Sequence, residues 1–215
     1  MYKRSKFSAV ANFLPTFWSV SHRFPSSAAP RTQKPYRSPQ PRIVVGITSA
    51  QTCLVLGGRL RMLRESGLRV TLVSSPGPLM VRTAEQEGVE YVAIPMRREM
   101  AFFADLVSLA RLWWLLFRLK PEMTEFSTPK AGLLGSIAAL LCGVPTRVYF
   151  LRGLKLESCA GIKRHILLLA EKLASACSHA VLCNSDSLRS EALALGIASE
   201  RKLRLRVQRS AGCGA

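Results

Sequence analysis

From Arg42 onward, short runs of β-branched and apolar residues alternate with segments whose apolar residues recur every three or four positions. This alternation predicts an α/β fold, in which a Rossmann-like parallel sheet carries helices on both faces. The expected strands are 42–48, 69–74, 89–94, 123–127, 146–151 and 180–184. A chain of 215 residues has room for one domain of this kind with tails.

Each segment between the predicted strands has an apolar side, as expected for a helix packed on a sheet. The stripes are Leu56, Leu60 and Leu63; Phe102, Leu106, Leu109, Trp113 and Phe117; Leu134, Ile137, Ala138 and Leu141; Ile166, Ala170, Leu173 and Cys177; and Leu188, Ala192 and Leu195. A glycine follows each of four helical patterns, at Gly67, Gly88, Gly143 and Gly196. Glycine at these places predicts helix ends with positive φ.

The two ends of the chain lack this periodicity. Residues 1–41 are rich in Pro, Ser and Arg, and this composition predicts a disordered basic leader. The folded lobe is expected over residues 42–206, and an irregular tail over residues 207–215. The basic start and the uncharged stretch Phe7 to Ser21 leave a secretory signal as the alternative for the leader. No segment approaches the roughly 20 apolar residues of a membrane-spanning helix.

Charge narrows the possible partners. The chain has 31 Lys and Arg against 13 Asp and Glu, a formal net charge of +18. Such a field favours phosphates, acidic lipid headgroups or nucleic acid as partners.

The cysteine and histidine content bears on metal and disulfide chemistry. The six cysteines form no C-x-x-C pair, and only three histidines are present. We therefore expect reduced thiols, no metal and no cofactor.

In a parallel sheet, ligands bind outside the carboxyl ends of the strands. After the first strand, a phosphate has a possible site at the helix start near Gly57 and Gly58, although close helix packing explains this pair equally well. The dinucleotide fingerprint G-x-G-x-x-G and the Walker motif are both missing from the sequence.

Polar residues follow the fourth and fifth strands. Ser127 and Thr128 are candidates to cap the next helix, and Lys130 offers an ammonium group to a phosphate. Arg152, Lys155 and Glu157 share one loop, where the guanidinium suits a diphosphate and the carboxylate a sugar hydroxyl. For Ser127, Thr128 and Lys130 the structural alternative is a capped helix with a solvated lysine. For the loop of Arg152, Lys155 and Glu157 it is a surface ion-pair cluster.

The order of segments over residues 42–206 resembles the N-terminal lobe of family 4-like glycosyltransferases. The most specific pieces are STPKAGLLGS followed by GVP, and the last strand followed by NSDSLR. The resemblance implies one lobe of a GT-B enzyme, in which the N-terminal lobe binds the acceptor and the C-terminal lobe binds the nucleotide-sugar donor. It further implies a retaining, metal-independent transfer to polyprenyl-diphosphate-linked acceptors of surface polysaccharides, at the cytoplasmic face of the inner membrane.

On this interpretation the acceptor-binding candidates are Arg97, Arg98, Ser127, Lys130, Arg152 and Glu157. Trp113 and Trp114 suit a peripheral membrane contact, although a place in the core is favoured for at least one of them. The sequence departs from the family where Arg152-Gly153 stands in place of a His-Gly pair and Phe126-Ser127 in place of a histidine-rich strand end. Arginine stays protonated and cannot act as a general base, so no catalytic residue is assigned.

Relatives continue beyond Val207 into a donor lobe, and we expect a frameshift, a premature stop or a split gene here, with no sugar transfer by this chain alone. Sequencing of the downstream DNA tests that expectation. The competing class is a non-catalytic basic module that binds anionic lipid or polymer. Nucleic-acid binding ranks last, because aromatic residues are not interleaved with the basic ones and no recognition motif is present.

Overall fold

The computed structural model describes residues 40–96, 101–154 and 161–205, which belong to one compact unit, Gln40–Arg206. Its strands are β1 (Arg42–Gly46), β2 (Arg69–Ser74), β3 (Glu90–Ala93), β4 (Met123–Ser127), β5 (Thr146–Leu151), β6 (Ala180–Cys183) and β7 (Leu203–Leu205). A 3₁₀ helix (Ala50–Leu56) precedes the helices α1 (Arg59–Glu65), α2 (Pro78–Glu87), α3 (Phe102–Leu119), α4 (Pro129–Leu141), α5 (Gly161–Ala176) and α6 (Asp186–Ala194).

The strands form one parallel sheet in the order β3-β2-β1-β4-β5-β6-β7. This confirms the predicted Rossmann-like α/β class. The predicted strands agree to within one or two residues at their ends, whereas β7 was not predicted. At three residues, β7 is too short to produce a clear alternation of its own.

The strand order places the helices. Right-handed crossovers run from β1 toward β3 in one direction and from β4 toward β7 in the other, so α1 and α2 cover one face and α3 to α6 the opposite face. The four glycines predicted to end helices have φ between +61° and +88°. The predicted ends of these helices are therefore confirmed.

Helix α4 lies directly against the sheet because two of its residues have no side chain. A Cβ atom at Gly132 would lie 2.2 Å from Cε2 of Tyr149, and one at Gly135 would lie 2.2 Å from Cδ1 of Phe126. Tyr149 and Phe126 are adjacent in the sheet register and point to this face. The glycines thus set the distance between α4 and the centre of the sheet.

A buried ion pair occupies the other face. Glu125 lies in the central strand β4, and its carboxylate accepts two hydrogen bonds from the guanidinium of Arg59 on α1, one of them 3.1 Å long. Both residues are buried, and the Arg59 guanidinium also lies 5.4 Å from the centre of the Phe150 ring. The pair satisfies a carboxylate that would otherwise be isolated in the core.

The predicted inner sides of two helices were wrong. On α3 the buried residues are Ser108, Leu112 and Leu116, whereas the predicted stripe from Phe102 to Phe117 is mostly exposed. Neither Trp113 nor Trp114 is buried, so the interpretation that one belongs to the core was also wrong. On α5, Ile166 and Leu173 are exposed and Glu171, Ala174 and Ser175 are buried. Helix α3 is apolar on two sides, whereas α5 buries Glu171 and Ser175 and turns its large apolar residues outward. Apolar spacing therefore does not show which side faces the sheet.

Within the described residues, no helix combines the length and the hydropathy that crossing a membrane requires.

Candidate functional site

The sheet order reverses between β1 and β4, and this topological switch point is where parallel sheets bind ligands. The chain leaves β1 toward one face and β4 toward the other, which opens a crevice between the two strand ends. Thr48 follows β1 and Thr128 follows β4. The residues around these two threonines form the candidate site.

Thr48 performs the capping role that the sequence assigned to Ser127 or Thr128. The Oγ1 atoms of Thr48 and Thr128 are 2.6 Å apart, and Oγ1 of Thr48 accepts a hydrogen bond of 3.1 Å from the Ala131 amide in the first turn of α4. Thr128 is the N-cap residue by position, but its side chain makes no capping hydrogen bond. The predicted local cap was therefore wrong, because the hydroxyl comes from a residue 83 positions away.

Thr128 holds an unusual backbone conformation, with φ +76° and ψ 148°. A β-branched residue rarely adopts positive φ, and such positions cost of order 1–3 kcal/mol unless their surroundings fix them. The Thr48 amide donates to Oγ1 of Thr128 at 3.3 Å, which adds to the contact between the two hydroxyls. Hydrogen bonds from Thr48, which follows β1, thus fix the turn from β4 into α4.

Ser75 links three strand ends at the same edge. Its hydroxyl lies 2.6 Å from the Thr48 carbonyl oxygen and 2.9 Å from the Met96 carbonyl oxygen, and it accepts a hydrogen bond of 2.9 Å from the Met96 amide. The residues that follow β1, β2 and β3 therefore form one connected rim.

Lys130 stands in the first turn of α4 and forms an ion pair with Asp105, in the first turn of α3. Its Nζ lies 2.8 Å from Oδ1 of Asp105, and the two side chains are 15% and 23% exposed. The alternative of a freely solvated lysine is therefore wrong. Lys130 thus presents a partly exposed ammonium group at the start of α4.

Arg152 lies just beyond β5, partly buried, with its guanidinium carbon 4.5 Å from the centre of the Phe150 ring. Its carbonyl oxygen accepts a hydrogen bond of 3.2 Å from Nδ2 of Asn184, which follows β6. The ends of β5 and β6 are thereby joined. The guanidinium nitrogens are buried, and the guanidinium lies over the Phe150 ring in a cation–π contact.

Three other candidates have different surroundings. Ser127 is buried, with only 1% of its surface exposed. Gly58 has φ +73° and an open position in place of a Cβ, so its turn, and not close helix packing, explains a glycine there. The Gly58 and Arg61 amides donate to the carboxylate of Glu87 at 2.9 and 2.8 Å. This helix start already holds an anion, and Gly57 and Gly58 do not enter the site proposed below.

Arg97, Arg98, Lys155 and Glu157 lie outside the described residues. Sequence reasoning missed Thr48, Ser75 and Asp105 as individual members of the site. The first two stand at strand ends that the fold marks for inspection, whereas nothing near Asp105 in the sequence points to Lys130.

The surroundings of His179 and Cys183 shift the pKa values of these two side chains. His179 lies before β6, at the opposite edge, where its Nδ1 accepts a hydrogen bond of 3.2 Å from the Arg147 amide and burial lowers its pKa. Burial raises the pKa of the Cys183 thiol to about 11. Among residues 40–96, 101–154 and 161–205, no three His, Cys, Asp or Glu side chains are grouped as a metal site would need.

Comparison with known proteins identifies the family to which this chain belongs. The model of the glycosyl transferase 4-like domain matches residues 56–206, so the chain belongs to this glycosyltransferase family. The capsular polysaccharide biosynthesis glycosyltransferase CapM of Staphylococcus aureus is 35% identical over 157 residues, which are 73% of this chain and 40% of CapM. The chain thus spans less than half the length of this relative.

Solved structures agree on the fold. A UDP-N-acetylglucosamine 2-epimerase superposes with a TM-score of 0.62 at 12% identity, covering 77% of this chain and 48% of the epimerase. Anabaena Alr3699/HepE in complex with UDP and glucose gives 0.59 at 16% identity, covering 77% and 43%. Both neighbours have the GT-B fold, so the chain has the architecture of a GT-B lobe.

Proposed function

We propose that this lobe binds the acceptor of a retaining glycosyltransferase that transfers a sugar from a nucleotide-sugar to a polyprenyl-diphosphate-linked acceptor in cell-surface polysaccharide synthesis. Family membership and the likeness to CapM support sugar transfer and polysaccharide synthesis. A polyprenyl-linked acceptor stays in the bilayer, so peripheral contact with the cytoplasmic face of the inner membrane is part of the proposal.

The observation that carries the proposal is the position of the Lys130–Asp105 pair at the switch point. Lys130 extends from the turn fixed by Thr48 and Thr128, and Asp105 holds its ammonium at the edge. A group fixed before the ligand arrives loses less side-chain freedom on binding. We assign Lys130 to the acceptor diphosphate, with Arg97, Arg98 and Arg152 as further cationic contacts and Glu157 as a contact to the acceptor sugar.

On this proposal, sugar transfer requires a second lobe that binds the donor. Catalysis must hold the leaving nucleotide diphosphate while the glycosidic bond forms. The sequence has no dinucleotide fingerprint or Walker motif, and its general basicity alone does not build such a site. We therefore expect purified chain to release no product from any nucleotide-sugar, and measurable turnover by the chain alone would contradict this part.

Acceptor binding is tested with a short-chain prenyl-diphosphate sugar, titrated by calorimetry against the same prenyl sugar without its diphosphate. We expect the diphosphate form to bind more tightly, and Lys130→Met to weaken it about tenfold, the worth of one charged hydrogen bond. Lys172→Met removes one charge from the exposed side of α5 and is the matched control. Equal affinity for the two ligands, or equal effects of the two substitutions, would refute the assignment.

The alternative is a non-catalytic module that binds anionic lipid or polymer. The net charge of +18 favours it as well. A module of this kind shows no preference for an acceptor sugar, so a second titration, which compares prenyl diphosphate with and without its sugar, distinguishes the two functions.

A further inference from the structure

The outward sides of α3 and α5 expose large apolar side chains. On α3 these are Phe102, Phe103, Leu106, Val107, Trp113, Trp114 and Phe117, and on α5 they are Ile162, Ile166, Leu169 and Leu173. Helix α4, which contacts both α3 and α5, adds Leu140 and Leu141 near its end. Apolar surface of this extent on a soluble domain marks an interaction site.

Packing of the core does not account for these residues. The inner side of α3 already contributes Leu112 and Leu116 to the cluster that also holds Phe126 and Val44. The outer rings contact one another: Phe117 stacks with Trp113 and Trp114 at centroid distances of 5.7 and 6.2 Å. The outer side is thus a second apolar surface of the same helix.

The charges around this surface have one sign. The acids of these three helices are Asp105, which pairs with Lys130, and Glu171, which is buried. By contrast, Arg111, Arg118, Lys163, Arg164 and Lys172 are all exposed. On α3 the two arginines follow Val107 and Trp114 at a spacing of four, so they border the apolar side. Aromatic and aliphatic residues bordered by basic ones are typical of helices that lie in a lipid–water interface.

The most exposed members of the surface lie at one end of it. Phe103, Phe102 and Ile162 are 82%, 78% and 78% exposed, and they stand in the first turns of α3 and α5. Helices that follow parallel strands begin at the carboxyl edge of the sheet, where the Lys130–Asp105 pair also lies. The surface therefore adjoins the candidate site.

We propose that the outward surface of α3 and α5, with Phe102, Phe103 and Ile162 at its leading end, docks on a bilayer that carries anionic headgroups. This inference rests on the membrane contact in the proposed function and names its residues, but it does not depend on sugar transfer. Lipid is favoured over a second copy of this chain because two copies face to face would bring like charges together at Arg111, Arg118, Lys163 and Arg164.

The test is flotation of the full chain with vesicles of phosphatidylcholine, with and without phosphatidylglycerol. We expect binding to the anionic vesicles that weakens as salt screens the headgroups. Phe102→Ser with Phe103→Ser should lower the bound fraction about tenfold, because two inserted rings are lost. Leu54→Ser is the control, since Leu54 is also largely exposed, at 69%, but lies on the 3₁₀ helix at the other face of the sheet.

The contribution of charge to membrane binding is tested with two matched double variants. Lys163→Glu with Arg164→Glu should weaken binding to anionic vesicles, whereas Arg82→Glu with Arg201→Glu changes the net charge equally at exposed positions elsewhere and should have a smaller effect. Insertion is read in a Trp18→Phe background, which leaves Trp113 and Trp114 as the only fluorophores of their kind. Brominated lipid should quench them.

The outcomes separate the two proposals. If the unaltered chain binds no vesicles, the proposed membrane contact fails, while the diphosphate titration still tests the acceptor site. If it binds but the Phe102/Phe103 and Leu54 variants bind equally, only the docking surface fails. A dimer in sedimentation that the Phe102/Phe103 variant abolishes, without binding to lipid, would assign the surface to a second copy and overturn the inference.

Discussion

The phenolic oxygen of Tyr149 lies 2.5 Å from Oε2 of Glu171, and this hydrogen bond joins β5 to α5 inside the protein. Both residues are almost fully buried. Burial raises the pKa of the Glu171 carboxyl to about 7, and the hydrogen bond from Tyr149 opposes part of that rise. Glu171 therefore changes its charge near neutral pH, in contact with one of the largest side chains of the core.

This relationship predicts that the domain loses stability as the pH rises from about 5 to 8. A carboxyl whose pKa is raised in the folded state stabilises that state fully below its unfolded pKa, and the contribution is lost as the pH rises through the folded value. The shift of the pKa from 4.5 to about 7 is worth up to about 3.5 kcal/mol at 1.4 kcal/mol per unit. Urea unfolding of the chain and of Glu171→Gln at several pH values isolates the effect, since glutamine does not titrate. If the free-energy difference between the two proteins stays constant from pH 5 to 8, the prediction is wrong.

The buried pair of Arg59 and Glu125 gives a second stability prediction. Removal of one partner leaves a buried charge without its counterion, so Glu125→Gln should cost about 3–5 kcal/mol of unfolding free energy. Replacement of both residues, Arg59→Met with Glu125→Leu, should recover most of this loss because no charge then remains buried. Chemical denaturation measures both variants. The expectation fails if the double variant is less stable than the single one.

The spacing between α4 and the sheet predicts that Gly135→Ala destabilises the protein, although alanine normally stabilises a helix relative to glycine by about 1 kcal/mol. The added Cβ would lie 2.2 Å from the Phe126 ring, which is itself buried. We expect a loss of about 1–3 kcal/mol, as for other overpacked cores. Gly57→Ala is the control, because its nearest atom would be at 3.7 Å and its φ of −45° suits alanine. A Gly135→Ala protein as stable as the control would show that α4 moves away without cost.

Much of this fold follows from the sequence because its strands are short, β-branched and separated by glycine-terminated helices. The strand-end candidates could be located in the same way, since a parallel sheet brings its carboxyl ends together. The inner sides of α3 and α5 could not be predicted, because α3 is apolar on two sides and α5 buries Glu171 and Ser175 while its large apolar residues face outward. The partners of Lys130 and Thr128 also could not be predicted from the sequence. Asp105 and Thr48 are distant along the chain and come close to them only in the folded protein.

The two threonines at the switch point provide the last prediction. Thr48→Val removes the hydroxyl that accepts from the Ala131 amide and contacts Oγ1 of Thr128, while it keeps the β-branched shape. We expect a loss of about 1–2 kcal/mol, the cost of an unsatisfied buried donor and a missing helix cap. Thr128→Val keeps the branched residue at positive φ and removes only the second hydroxyl. In a double-mutant cycle the two substitutions should couple by at least about 0.5 kcal/mol, because the hydroxyls share one hydrogen bond. Strict additivity in urea unfolding, or an equal loss from Thr146→Val at the start of β5, would mean that the 2.6 Å contact does not hold the turn.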